Sequence, residues 1–121
     1  MNQSKAALVV DDSQPVRSLV ASTLQSLGYR VLEAATGAEA LAIAESENIS
    51  LAVCDLYLDR ETSGAAILEQ TARLHPGLKC ILMSGSVLPG RELRTPFPLL
   101  SKPFPLKELV DLVERLTGDP D

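Results

Sequence analysis

The sequence predicts an α/β fold in which a doubly wound, five-stranded parallel sheet carries helices on both faces. Short apolar runs alternate five times with segments whose apolar residues recur at helical spacing. This alternation is typical of strands that are joined by right-handed helical crossovers. Only 3% of the residues are aromatic and none is Trp, so the core must be aliphatic, as it is in parallel sheets buried between helices.

The length of 121 residues suits one domain, and no linker or repeat interrupts the alternation. We therefore predict a single domain over residues 1–121, with a frayed tail at 118–121. The predicted strands cover residues 6–10, 29–34, 49–54, 79–83 and 99–100.

Four helices are predicted from apolar spacing together with their start and stop residues. The capping box at 36–39 opens the second of them, and a Pro-Gly pair at 76–77 ends the third. Residues 87–98 carry three prolines, which leaves room for only a short or irregular helix before the fifth strand. The four regular helices are expected over 14–27, 37–46, 64–75 and 105–117.

Net charge, apolar runs and cysteine setting indicate which partners and which cellular compartment to expect. The formal net charge of −5 disfavours direct binding to nucleic acid, and no apolar run approaches the roughly 18 residues that span a bilayer. Cys54 and Cys80 lie within apolar runs, which predicts buried free thiols in a reducing compartment. We therefore expect a cytoplasmic protein that contacts neither nucleic acid nor membrane directly.

Charged and hydroxyl side chains follow four of the predicted strands at the points where those strands end. Asp11 and Asp12 follow the first strand, and Asp55 follows the third. Ser84 and Lys102 follow the fourth and fifth strands. Ligands of open parallel sheets bind at the carboxyl ends of the strands, near the point where the winding reverses. Because crowded carboxylates repel each other, we expect a cation among them, and such oxygen ligands suit Mg²⁺.

Four segments of the chain resemble the receiver domain of two-component signalling, the type of domain found in chemotaxis regulators. Each segment is weakly specific alone, but all four stand in the expected order and together cover essentially the whole chain. The resemblance implies a flavodoxin-like fold with strand order 2-1-3-4-5. The segments are VVDDS at 9–13, VCD at 53–55, MSG at 83–85 and SKPF at 101–104.

The resemblance also implies a role for each catalytic residue. Asp55 would be the nucleophile that takes a phosphoryl group from a phosphohistidine of a sensor histidine kinase or a histidine phosphotransfer protein. Lys102 would pair with one phosphoryl oxygen, and Ser84 would hydrogen-bond another. A cis peptide before Pro103 would aim Lys102 into the site. The domain would catalyse only its own phosphorylation and dephosphorylation, so we do not expect an enzyme with a separate substrate.

The implied metal is Mg²⁺, or Mn²⁺ in its place. Its ligands would be Asp12 and Asp55 directly, and Asp11 mainly through a metal-bound water. The backbone carbonyl of Tyr57 would add a further ligand.

Three features depart from the family pattern. Leu99 stands three positions before Lys102, where Tyr or Phe is common, so a switch coupled to Ser84 cannot use an aromatic ring there. Ser84 and Lys102 are closer in sequence than is usual, which predicts the short or irregular fourth helix and leaves at most a weak homodimer open. The loop after Asp55 is slightly long and has Asp59 where Pro is common.

Details of these segments resemble receivers attached to hybrid sensor histidine kinases more than those of DNA-binding regulators. An excised kinase domain and a stand-alone relay protein both stay open. We expect the partner to dock around the site on Ser13, Gln14, Arg17, Pro103 and Phe104.

Simpler explanations of single residues stay open as well. Asp11 or Asp12 could merely cap a helix, and Ser84 could be a turn residue. His75 is expected to interact with a helix C-terminus, and Cys54 to lie in the core.

Three other functions fit parts of the pattern. A haloacid-dehalogenase-type enzyme needs its second acid two positions after the first, where this chain has Ser13, and it normally carries a cap domain. A flavin-binding electron carrier needs a Ser/Thr-rich phosphate loop that does not follow the first strand. A receiver-like module that works without phosphorylation is the main alternative, because Leu99 and the short fourth helix depart from the switching pattern.

Overall fold

The computed structural model describes residues 5–58, 63–85 and 96–118. Five parallel strands form one sheet in the order β2-β1-β3-β4-β5, which confirms the predicted fold class and strand order. The strands are β1 (Ala6–Val10), β2 (Arg30–Ala34), β3 (Leu51–Asp55), β4 (Lys79–Ser84) and β5 (Leu99–Ser101). The helices are α1 (Gln14–Ser26), α2 (Gly37–Ser46), α3 (Gly64–Leu74) and α4 (Leu106–Thr117).

The helix expected between β4 and β5 lies outside the described residues, and so do residues 119–121 of the tail that was predicted to fray over 118–121. Among the residues that the structure describes, none of the helices has both the length and the apolarity to cross a membrane.

Two aliphatic layers cover the sheet. Along β1, Leu8 and Val10 face the layer that packs under α2 and α3, while Ala7 and Val9 face the layer under α1 and α4. Alternate residues of β3 and β4 divide in the same way. Both faces of the central strands are therefore covered, which explains why their sequences are continuous apolar runs rather than alternating ones.

The two cysteines are buried in the layer under α2 and α3, which confirms the predicted core role of Cys54. Burial raises the pKa of the Cys80 thiol to about 11. Burial, together with the neighbouring charge of Asp55, raises that of Cys54 as well. Both thiols are neutral at physiological pH, so they pack as small apolar groups.

His75 connects two helices on this face of the sheet. It follows α3, and its Nε2 donates a hydrogen bond to the backbone carbonyl of Ala44 in the last turn of α2, at 2.7 Å. The last carbonyls of a helix have no partner within the helix, so the ring satisfies one of them. The predicted interaction with a helix C-terminus therefore exists, but with the neighbouring helix rather than with the one that His75 ends.

Candidate functional site

The predicted site residues meet at the carboxyl edge of the sheet. Asp11 directly follows β1, and Asp55 is the last residue of β3, the strand beside it. The chain leaves β1 toward β2 on one side and enters β3 on the other, so this edge is the point where the winding reverses. Ser84 ends β4, and Lys102 directly follows β5.

Three carboxylates form a cluster at this edge. Oxygen atoms of Asp11, Asp12 and Asp55 all lie within 4.8 Å of one another. Asp11 is fully buried and Asp55 is 8% exposed, whereas Asp12 is exposed. Hard oxygen donors that are partly open to water fit a small divalent cation, which usually keeps several of its waters. The donor set is therefore suited to the metal that the resemblance implies.

Lys102 is paired with two of these carboxylates. Its Nζ donates a hydrogen bond to Oδ2 of Asp11 at 2.8 Å and lies 3.3 Å from Oδ1 of Asp55. Burial alone would lower the pKa of Lys102, but the hydrogen bond to Asp11 and the two negative charges raise it overall. The ammonium is therefore charged and sits inside the cluster. The Lys102–Pro103 peptide is cis, as the resemblance implies.

The polar groups of Asp11 are held on every side. Its backbone N–H donates to the carbonyl of Ala34 at 3.1 Å, and its Oδ1 accepts from the backbone N–H of Ser13 at 2.9 Å. Its carbonyl accepts from Nη1 of Arg17 at 2.8 Å. Asp11 is therefore the anchored member of the cluster. The exposed Asp12 is the member that is open to solvent and to a cation.

Arg17 was expected on the docking surface for the partner, which stays a prediction, and the structure shows that its guanidinium also binds within the domain. Nε of Arg17 lies 3.1 Å from Oε1 of Glu33, and the side chain is only 16% exposed. Its donors are therefore directed at β2 and at the loop after β1. Phe104 is also partly buried, against the layer under α1 and α4. Large apolar side chains that do reach the surface of the helices near the site are Leu19 and Leu106, at 52% and 37% exposure.

Ser84 and Tyr57 lie at the same edge. Ser84 is 1% exposed, and its backbone carbonyl accepts a hydrogen bond from the N–H of Lys102 at 2.8 Å. Tyr57 lies two residues after the end of β3 and forms a single antiparallel β-bridge with Ser63. The residue is 56% exposed. The roles of the Ser84 hydroxyl and of the Tyr57 carbonyl stay predictions.

Gly64 is a site residue that sequence reasoning treated only as a helix start. Its N–H donates to the carbonyl of Leu56 at 2.7 Å, which closes the loop after β3. A Cβ atom at this position would lie 2.0 Å from the carbonyl oxygen of Asp55. Its φ is not positive, so this contact, rather than backbone conformation, requires glycine. The signal in the sequence is a glycine at the first position of a helix, where Ala would otherwise be favoured.

We expect Asp55→Asn to raise the melting temperature of the metal-free protein. Burial raises the pKa of Asp55, and the charges of Asp11 and Asp12 raise it further. Lys102 lowers it, but by less than the sum of these effects. A carboxyl group whose pKa is raised by folding destabilises the folded state once it ionises, because ionisation is easier in the unfolded chain. Removing the charge should therefore stabilise the protein at neutral pH.

Thermal melts of both proteins across a pH series, without metal, check this prediction. The advantage of Asp55→Asn should be full above the raised pKa of Asp55 and should disappear below the ordinary value of 3.8, where the carboxyl is protonated in both states. Equal melting temperatures at neutral pH would contradict it.

The sequence of the chain matches a known protein family. A sequence model of the response regulator receiver domain matches residues 7–114 of the chain. The chain belongs to the receiver domain family. Receiver domains are signalling domains that bind Mg²⁺ at an acidic pocket, and Asp11, Asp12 and Asp55 form an acidic cluster in this chain.

Relatives of this receiver domain include a much longer protein and one of about the same length. It is 34% identical to the sensor kinase CckA of Brucella abortus over 127 residues, which cover all of this chain and 13% of that kinase. It is 27% identical to the response regulator receiver protein CpdR of the same species over 116 residues, 93% of this chain and 96% of CpdR. The crystal structure of the receiver domain from the hybrid histidine kinase CckA superposes with a TM-score of 0.77 at 32% identity, over 92% of this chain and 97% of that one.

Proposed function

We propose that this receiver domain accepts a phosphoryl group on Asp55 from a phosphohistidine of a sensor histidine kinase or a histidine phosphotransfer protein. The observation that carries the proposal is the position of Asp55, at the open end of β3 beside two further carboxylates and 3.3 Å from a lysine ammonium. A carboxylate oxygen attacks phosphorus and forms an acyl phosphate, while the phosphorus–nitrogen bond breaks. The electron pair of that bond stays on the imidazole, which takes a proton from solvent if it leaves as the neutral ring.

Mg²⁺ or Mn²⁺ is the cofactor of this proposal, held by Asp11, Asp12, Asp55 and the carbonyl of Tyr57. The metal supplies charge neutralisation of the phosphoryl oxygens. Lys102 supplies a second positive charge for those oxygens, and Ser84 supplies a hydroxyl donor from the neighbouring strand. Asp11 holds Lys102 in the cluster until a phosphoryl group offers it a new partner.

Phosphorylation then adds charge and strong acceptors beside Lys102 and Ser84, which shifts an existing balance between two states of the surrounding loops. Leu99 packs against the layer under α2 and α3, so any repacking that accompanies the switch uses an aliphatic side chain. We place the domain in the cytoplasm with a kinase or phosphotransfer protein as partner and no direct contact with nucleic acid or membrane. The similarity to the sensor kinase CckA supports a place within or beside a hybrid kinase.

Intact-mass measurement after incubation with Mg²⁺ and a small-molecule phosphodonor tests the proposal. One phosphoryl adduct should form on the wild-type chain, should require Mg²⁺, and should be absent from Asp55→Asn. If no adduct forms under conditions that label an established receiver, the domain is a phosphorylation-independent interaction module instead.

A further inference from the structure

The side chain of Arg17 joins three parts of the molecule next to the acidic cluster. Arg17 lies in the first turn of α1, where its backbone N–H donates to the carbonyl of Ser13 at 2.9 Å. Its Nη1 donates to the carbonyl of Asp11 at 2.8 Å, and its Nε lies 3.1 Å from Oε1 of Glu33 on β2. One guanidinium therefore links the helix, the loop that follows β1, and the neighbouring strand.

The carbonyl that Arg17 binds belongs to the peptide between Asp11 and Asp12. The Asp11 side of that peptide is held by the hydrogen bonds to Ala34, Ser13 and Lys102 described above. Asp12 is exposed, and its carboxylate lies within 4.8 Å of those of Asp11 and Asp55. Because the peptide unit is planar, its orientation influences the direction in which the Asp12 side chain leaves the backbone. The planar fork of an arginine can fix such an orientation because two of its N–H groups point at two fixed acceptors.

We propose that Arg17 is a positioning residue of the cation site, which orients the Asp11–Asp12 peptide so that the carboxylate of Asp12 faces the cation. The inference rests on the proposed function, because it assigns a residue to the Mg²⁺ site. It adds to the docking role expected for Arg17, since the guanidinium also binds within the domain. Glu33 is part of the same arrangement, because its Oε1 binds Nε of the guanidinium while Nη1 binds the Asp11 carbonyl.

The sign of the electrostatic effect makes this proposal testable with the metal alone. Removing a positive charge near three carboxylates should, by Coulomb's law, strengthen the binding of a cation. Removing a group that orients a metal ligand should weaken binding, and losses of 10- to 100-fold are typical of such groups. We expect Arg17→Ala to weaken Mg²⁺ binding by about tenfold.

Isothermal titration calorimetry of Mg²⁺ into each purified domain measures the effect, with urea unfolding to confirm that each variant is folded. Arg30→Ala is the matched control. Arg30 forms a similar pair with Glu47 at 3.2 Å. Arg30 is the first residue of β2, whereas Glu33 lies near the end of that strand, so Arg30 is roughly 10 Å farther from the acidic cluster than Glu33 is, measured along the strand. The control removes the same charge and an ion pair of similar length, although the Arg30 side chain is more exposed, at 52%, and it should bind Mg²⁺ like the wild type. Arg17→Lys keeps the charge, so the Coulomb effect is unchanged, and it should still bind more weakly than the wild type.

Wild-type affinity in both Arg17→Ala and Arg17→Lys, or tighter binding in Arg17→Ala, would overturn the positioning role while leaving the proposed function intact. If the wild-type domain itself binds no Mg²⁺, the proposed function fails at its cation step and the role of Arg17 fails with it. If Arg17→Ala does not fold, the charge-preserving Arg17→Lys decides the question.

Discussion

In the metal-free protein, Lys102→Met should lower the free energy of unfolding by about 3 kcal/mol. The ammonium lies 2.8 Å from Oδ2 of Asp11, whose side chain has no exposed surface, and 3.3 Å from Oδ1 of Asp55. Deleting it leaves a buried carboxylate without its charged partner, next to a second carboxylate. Met keeps much of the volume of the lysine stem, so the loss reflects charge rather than a cavity. Urea unfolding followed by circular dichroism measures it.

Lys107→Met is the matched control for this variant. Lys107 forms an ion pair with Asp111 at the same distance of 2.8 Å, but the two side chains are 83% and 49% exposed. Solvent screens an exposed pair, so we expect no measurable change in unfolding. Comparing Lys102→Met with Lys107→Met therefore isolates the effect of burial, because both variants remove a lysine that is paired with a carboxylate at the same distance.

Two further measurements distinguish the charge effect from general damage. Saturating Mg²⁺ should recover much of the stability of Lys102→Met, because a cation replaces the missing positive charge in the cluster. Since folding raises the pKa of Lys102, the advantage of the wild type should be full below the ordinary value of 10.5 and decline as the pH rises through the raised one. If Lys102→Met is as stable as Lys107→Met without metal, the buried pair does not stabilise this fold.

Gly64→Ala should destabilise the domain by about 3 kcal/mol and slow the phosphorylation of Asp55 by up to about 100-fold. The added Cβ would lie 2.0 Å from the carbonyl oxygen of Asp55 and 3.0 Å from Cα of Leu56, so the backbone of β3 or of α3 must move. Because Asp55 is itself in contact, the movement displaces the nucleophile. Urea unfolding measures the stability, and intact-mass time courses measure the rate.

Gly85→Ala is the control for steric damage near the site. A Cβ at Gly85 would meet Cβ of Lys102 at 3.7 Å, which is an ordinary van der Waals contact. This variant should unfold close to the wild type. If Gly64→Ala is as stable as the wild type and is phosphorylated at the wild-type rate, Gly64 does not position Asp55.

Much of the site could be predicted from the sequence because of how a parallel sheet is built. Asp11, Asp55 and Lys102 each follow a run of apolar residues, and parallel strands bring their carboxyl ends to one edge regardless of separation along the chain. The same apolar runs predicted the two buried faces of the sheet and the core position of Cys54. The start of α2 followed from the capping box at 36–39, and in the structure the side chain of Thr36 accepts a hydrogen bond from the backbone N–H of Glu39.

Contacts between elements could not be predicted in this way. His75 was expected to act on its own helix but binds the carbonyl of Ala44, 31 residues earlier, because α2 and α3 pack side by side. Arg17 was expected on the docking surface because it lies at the start of the first helix, next to the predicted site. Its actual partners lie on the loop after β1 and on β2, and nothing in the local pattern of α1 identifies them.

The order of residue types along the chain was therefore sufficient for the α/β class, the family and the membership of the acidic cluster. The fold class and the cluster depend on periodicity and on the ends of strands, which are properties of each segment alone, whereas the family was inferred from the resemblance of four such segments to receiver domains. Only the tertiary structure decided that Lys102 donates its hydrogen bond to Asp11, that Arg17 turns toward the Asp11–Asp12 peptide, and that a side chain at Gly64 would collide with the backbone of Asp55. Each of these depends on distances of a few ångströms between separate elements, which are set only when helices and sheet pack against each other.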